Sequence, residues 1–283
     1  MKSLSTTLGI GLRYPHYQQV LAEKPKIAWL EVHSENFMFK GGPAMDLLTS
    51  IGNHYPLSFH GIGLSLGSAT GLRKDHLKRL KKLIDQFQPF LLSEHLSWSN
   101  MGKTFLPDLL PIPYTHESLE VFADNIDKAQ NYLNRSFLIE NPSSYLEYNI
   151  SNYAEADFLA ALSKKTGAKI LLDINNVFVS CFNHGWDAHK YIKAIPPQLV
   201  GEIHLAGHTV KQIDPINKIL IDSHDNFVCQ EVWDLYDFTL QHLATELEKI
   251  PVLLEWDSDI PSLDVLLDEI TKADASNRHS LYA

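Results

Sequence analysis

The chain has 283 residues, is 45% hydrophobic, and sets 34 acidic residues against 24 basic ones for a formal charge of −10. That balance repels a phosphate backbone, and no basic stripe interleaved with aromatics points to nucleic acid as a partner. Two cysteines, Cys181 and Cys229, exclude a disulfide framework and any thiolate-rich zinc or iron–sulfur site. No window approaches the roughly 18 continuous apolar residues of a membrane span. Lys2 followed by SLSTTLGIGLRY is too polar for a signal peptide, so a reducing, cytoplasmic location is expected.

Short apolar, β-rich runs recur along the chain: LGIGLRY from Leu8, IAWLEVHSENF from Ile27, PLSFHGIGL from Pro56, FLLSEHLSW from Phe90, SFLIENP from Ser136, AKILLDINNV from Ala168, VGEIHLAGH from Val200 and PVLLEWD from Pro251. Segments of helical period lie between most of them. LRKDHLKRLKK, from Leu72, aligns Leu77, Leu80, Leu83, Ile84 and Phe87 on one face and reads as a helix with a solvated basic side. Residues 115–133, 152–165, 229–248 and 262–272 follow the same period. Eight strands alternating with helices, with no linker and no sequence repeat, predict an α/β fold: a (β/α)8 TIM barrel spanning 1–283 as a single domain.

Such barrels carry chemistry at the C-terminal ends of their strands. Here the second run ends with Glu31 and His33, the third with His60, the fourth with His95, and the fifth with Glu140 and Asn141. The sixth ends with Asp173, Asn175 and Asn176, the seventh with His204, and the eighth with Glu255 and Asp257. Pro196 and Pro197 just before LVGEIHLAGH, with Gly201 and Gly207 inside it, argue against a helix, so strand alternation puts Glu202 and His204 on one face. Glu140, Asp173 and Glu255 each interrupt an apolar strand, and few lysines or arginines lie nearby to offset them. Metal ions are the economical counter-charge. Three imidazoles (His60, His95, His204) with three carboxylates and no thiolate suit iron or manganese. Six ligands exceed the needs of one ion, so at least two ions roughly 3.5–4 Å apart are expected, bridged by Glu140.

NNVFVSCFNHGWDAH and AGHTVKQIDPINKILIDSHDNF are expected to be functional loops, the second unusually long for a barrel. Their His184, His208, Asp222 and His224, with Asn176 or Asn141, can hold a third ion. His16, His54, His76, His116, His189, His242 and His279 are assigned to packing or surface. The glycines of HGIGLSLGSATG suggest close backbone approach to a ligand.

Together, FHGIGLSLGS, SEHLSWS with DLLPIPYT, LIENPSSY, LLDINNVFVSCFNHG, EIHLAGH, LIDSHD before VWDLY, and LLEWD resemble the multinuclear non-haem iron-dependent oxidative enzymes. That family was long a domain of unknown function and includes the iron subunit of the methanobactin-modifying complex. The resemblance implies a xylose-isomerase-like barrel holding two or three irons. It places His60, His95, Glu140, Asp173, His204 and Glu255 on the paired-iron positions, with Glu140, Asp173 and His204 at the reacting centre. Asn176, His184, His208, Asp222 and His224 fall near a third site, and Asn141, Glu202 and Asp257 are supporting partners. It further implies oxidation of cysteines in a ribosomally synthesised precursor peptide, with dioxygen as cosubstrate and a small leader-binding partner protein. A divalent-metal isomerase or phosphoester hydrolase would use much the same barrel and ligands, and the residues alone leave that alternative open.

Overall fold

The computed structural model describes residues 8–101, 104–244 and 250–280; residues 245–249 of the expected 229–248 helix lie outside them, as does the side chain of His279. In chain order the elements begin with β1 (Leu8–Gly11), α1 (Tyr17–Glu23), β2 (Trp29–His33), α2 (Pro43–Gly52), β3 (Leu57–Gly61), α3 (Lys74–Phe87) and β4 (Leu91–His95). A hairpin of β5 (Trp98–Met101) and β6 (Thr104–Leu110) follows, then α4 (His116–Leu133), β7 (Leu138–Glu140), α5 (Glu155–Thr166), β8 (Lys169–Asp173), α6 (Ile174–His184) and α7 (Ala188–Ala194). The chain continues through β9 (Val200–Leu205), a second hairpin of β10 (Thr209–Gln212) and β11 (Lys218–Ile221), α8 (Gln230–His242), β12 (Val252–Leu254) and α9 (Leu263–Ser280).

Eight parallel strands close into a barrel in the order β1-β12-β9-β8-β7-β4-β3-β2. The closing seam pairs Leu8 with Val252 and Ile10 with Leu254. Each expected run supplies one barrel strand. Outward-facing Phe59, Leu172, Ile203 and Leu205 are fully buried beneath the helices, and burial of each such side chain contributes about 1.5–3 kcal/mol. α3 buries Leu77, Leu80, Leu83 and Ile84, as its spacing predicts. α4 starts at a capping box, Thr115 accepting from the Ser118 amide while Ser118 accepts from the Thr115 amide. No helix among the described residues is long and apolar enough to cross a membrane.

Three expectations change. NNVFVSCFNHG is the helix α6 rather than a loop, its N-terminus capped by the Asp173 side chain. The long segment after β9 is a structured hairpin, and a further hairpin, β5–β6, has no counterpart in the expected elements. Three of the four glycines after His60 are packed against protein groups, and Gly71 faces open space. A β-carbon on Gly61 would meet the Glu94 carboxylate, on Gly63 the His76 ring and Glu35, and on Gly67 the Phe122 ring.

Gly207 is sterically obligatory as well. A β-carbon there would overlap the Asn226 and Phe227 carbonyls, so its absence lets the chain carrying Asp222 and His224 fold back across the barrel mouth. Gly207→Ala is therefore expected to cost about 1–3 kcal/mol in urea denaturation.

Candidate metal centre

Side chains two residues apart on a strand share a face, and the inner face of this barrel is polar towards its C-terminal end. Glu31 and His33 come from β2, Ser58 and His60 from β3, Ser93 and His95 from β4, Glu140 from β7, Asp173 from β8, Glu202 and His204 from β9, and Glu255 directly after β12. His60 Nε2 and His95 Nε2 each lie 3.2 Å from Glu140 Oε2, yet that oxygen has no hydrogen-bond partner. The opposite ring nitrogens explain the aim. His60 Nδ1 is 2.7 Å from Ser93 Oγ, and His95 Nδ1 donates to the Gly61 carbonyl at 3.1 Å. Burial, helped by the neighbouring His95, holds His60 well below the usual imidazole range, and burial also lowers His95. Both rings are neutral near pH 7 and turn Nε2 towards Glu140.

On β9, Glu202 and His204 point the same way, as the alternation predicts. His204 Nε2 is 3.4 Å from Glu202 Oε1 and 3.5 Å from Glu31 Oε1, while its Nδ1 is 3.1 Å from Glu255 Oε2. Glu31 also accepts from Ser58 Oγ at 2.8 Å. Burial opposes a charged His204, but the Glu31 charge and the surrounding carboxylates raise it well above its ordinary value. Burial pushes Glu140 well up and brings Asp173 and Glu202 up to about 7. Burial would raise Glu255 too, but His224 and His204 outweigh it and hold Glu255 well below the carboxylate range.

His224 has a left-handed backbone, φ 46°, uncommon for a residue with a β-carbon and a recurrent form of strain at functional sites. Its ring turns in: Nε2 is 2.6 Å from Asp222 Oδ1, and Nδ1 is 3.4 Å from Glu255 Oε2 and 3.3 Å from Asp257 Oδ2. Among the described residues, five overlapping triads have ligating atoms within 4.8 Å of one another: His60–His95–Glu140, Glu140–Asp173–His204, Glu31–His204–Glu255, Asp173–His224–Glu255 and His33–Glu255–Asp257. Glu140 joins the first two and Glu255 the last three.

Other expected residues stand further back. Asn176 donates from Nδ2 to Glu140 Oε1 at 3.2 Å, and Asn141 exchanges two hydrogen bonds with the Asp173 backbone. His208 Nδ1 lies 2.9 Å from Asn175 Oδ1, and Asn175 donates to Asp222. His184 Nε2 lies 3.0 Å from Ser144 Oγ with its ring stacked on Trp186. Neither His184 nor His208 enters a triad. Glu31 and His33, read from the sequence as strand-end residues but given no ligand role there, enter triads, and Arg13 gains a place that the sequence did not assign it. Arg13 sits two residues past β1, the strand with no acid or histidine at its end, and donates from Nε to Asp257 at 2.9 Å and from a terminal nitrogen to Glu255 at 3.2 Å. Its only sequence signal is its offset from β1, close to that of Asp257 from β12.

The chemistry of the donors fits a cation cluster. Glu31 Oε1, Glu140 Oε2, Asp173 Oδ2, both Glu202 oxygens and His204 Nε2 are buried without a hydrogen-bond partner, an arrangement that costs several kcal/mol unless positive charge joins it. Oxygen and imidazole donors without thiolate suit iron or manganese. Beside the centre opens a cavity of about 1040 Å³ whose wall includes His95, Glu140, Asn176, Asp222 and His224. Another part of that wall holds Glu155, which accepts from Tyr114 and Tyr191 hydroxyls at 2.8 Å each; burial lifts it to about 7.

Two outcomes follow. Ser93→Ala frees the His60 ring and should weaken metal binding by about 10–100-fold in chelator competition. Glu155 is neutral in the fold up to about pH 7 but ionises near 4.5 when unfolded. Its contribution therefore falls as pH rises from the unfolded to the folded value, by about 3 kcal/mol at most. Glu155→Gln should remove that part of the slope of stability between about pH 4.5 and 7.5, read by urea unfolding.

The fold and the chain both have relatives. D-psicose 3-epimerase, solved with D-fructose, superposes with a TM-score of 0.57 at 13% identity over 98% of this chain and 97% of its own. Endonuclease IV from Thermus thermophilus gives 0.54 at 12% identity, covering 98% and 99%. These likenesses show the TIM-barrel fold. A UPF0276 protein of Psychromonas ingrahamii is 48% identical over 267 residues, 94% of this chain and 93% of that one. The family model described as "RiPP precursor modification enzyme MbnB/TglH/ChrH" matches residues 7–278, and the chain belongs to that family of enzymes acting on ribosomally made peptides.

Proposed function

We propose that the protein is a multinuclear iron enzyme that oxidises cysteine residues of a ribosomally synthesised precursor peptide with dioxygen. The observation that carries this reading is the set of buried, unpartnered carboxylate and imidazole atoms converging on Glu140 and Glu255, in a chain of a peptide-modifying family. His60, His95 and Glu140 would hold one ion, and Glu140, Asp173, His204 and Glu255 a second. Asp173, His224 and Glu255 would hold a third, with Asp222 against the far side of the His224 ring, Asn176 beside Glu140 and His208 behind Asn175.

Iron bound there would supply a site for a cysteine thiolate and the electrons that reduce dioxygen. The chain's own residues set the stage. Ser93 and the Gly61 carbonyl orient the two imidazoles so that each presents Nε2. Arg13 fixes Glu255 and Asp257, so neither carboxylate swings away. The adjoining cavity admits a peptide segment to the metal rim and displaces water from it. A small partner protein would capture the peptide's leader, since the cavity accommodates a few residues only. The site is assigned to one 1–283 unit working in the cytoplasm.

The second reading, a divalent-metal isomerase or phosphoester hydrolase, draws on the epimerase and endonuclease barrels that share the fold. Aerobic and anaerobic turnover separate the two. Protein purified from iron-rich medium should carry two or three irons, consume dioxygen with a cysteine-bearing precursor peptide and stop under anaerobiosis. Glu140→Gln should lose iron and at least about a hundredfold in rate. Zinc-only protein with no redox activity, or turnover that persists without dioxygen, overturns the reading.

A further inference from the structure

Glu155 is 3% exposed, lies in the wall of the cavity beside the metal centre, and has no lysine, arginine or histidine partner among the described residues. Its two hydrogen bonds come from Tyr114 and Tyr191, each 2.8 Å away, so each oxygen keeps a further lone-pair direction. As a purely structural tie, this is an expensive choice: an apolar side chain at the start of α5 would join α5 and α7 without burying an acid. The rest of the wall has the same sign. Asp108, Glu147, Asp157 and Asp187 line the cavity with exposed carboxylates, against Lys190 as its one lysine. Two phenol hydroxyls hold this buried acid in the cavity wall, and a carboxylate so placed can take a cationic partner by a charge-assisted hydrogen bond.

We infer that Glu155, flanked by Tyr114 and Tyr191, receives a positively charged side chain of the substrate peptide and thereby sets which cysteine reaches the metal rim. The inference rests on the peptide-modifying reading, and it adds the charge of the residue that flanks the target. A cation in the cavity draws Glu155 into its ionised form and pairs with it, while the acidic wall steers basic peptides in and turns acidic ones away. Glu155 touches the peptide away from the reacting atoms, so its loss should raise KM and leave kcat near the wild-type value.

The test uses the iron-loaded protein and fluorescein-labelled heptapeptides Gly-Ala-X-Ala-Cys-Ala-Gly, with X as Arg, Gln or Glu, read by anisotropy under nitrogen. The wild type should bind the Arg peptide at least about tenfold more tightly than the Gln peptide, and the Glu peptide most weakly. Glu155→Gln should erase the Arg preference with iron content unchanged. Glu155→Asp, which keeps the charge but shortens its reach, should give an intermediate preference and covers the case in which the Gln variant does not fold. Equal binding of the Arg and Gln peptides by the wild type, or a preference untouched by these variants, overturns the inference. Because binding is measured without dioxygen, failure of the oxidative reading leaves this result legible. Dioxygen-dependent turnover with no charge preference would sink the inference alone.

Discussion

Everything at the mouth of this barrel answers to one electrostatic constraint. Glu31, Glu140, Asp173, Glu202 and Glu255 are each at most 2% exposed and share one chamber; Arg13 is the only arginine or lysine that pairs with any of them among the described residues. At low dielectric such charges repel by several kcal/mol per pair. The protein answers in two ways: it raises Glu140, Asp173 and Glu202 towards their neutral forms, and it interleaves imidazoles that are neutral at His60 and His95 but charged at His204 and His224. A divalent cation bound there would replace those held protons with fixed charge and would couple metal binding to folding and to pH.

The polar residues around these acids and imidazoles are organised as carefully as the cluster itself. Ser58 holds Glu31, Ser93 holds His60, Asn141 ties the end of β7 to Asp173, and Asn175 links His208 to Asp222. Each is a short polar side chain beside a strand end, where a small reach fixes a ligand's rotamer without filling the chamber. Arg13 does the same work at longer range, clamping Glu255 and Asp257 across the seam where the first and last strands meet.

Strand count, strand order and the inward set were legible because period-two alternation and apolar runs are local properties of the chain. Glu202 and His204 are the clearest case, since two glycines and two prolines removed the helical alternative. The expected bridge at Glu140 rested on its strand lying between the others, which the order β3-β4-β7-β8-β9 reproduces. What escaped depends on long-range contact. Arg13 lies on no strand and acquires meaning only through Glu255 and Asp257, over 240 residues away in sequence. α6 escaped because its Asn pair and glycine resemble turn chemistry, whereas the Asp173 cap starts a helix there. The glycines after His60 advertise close approach, but sequence does not say to what; Glu94, His76 and Phe122 are the answer.

The seam between β1 and β12 also sets an order of events. Glu255, common to three of the five triads, arrives with the last barrel strand to emerge from the ribosome, and its clamp Arg13 with the first. The triads that contain Glu255 therefore exist only once the final strand has closed the cylinder, so a cation that needs them would find its full set of donors only after synthesis has passed that strand.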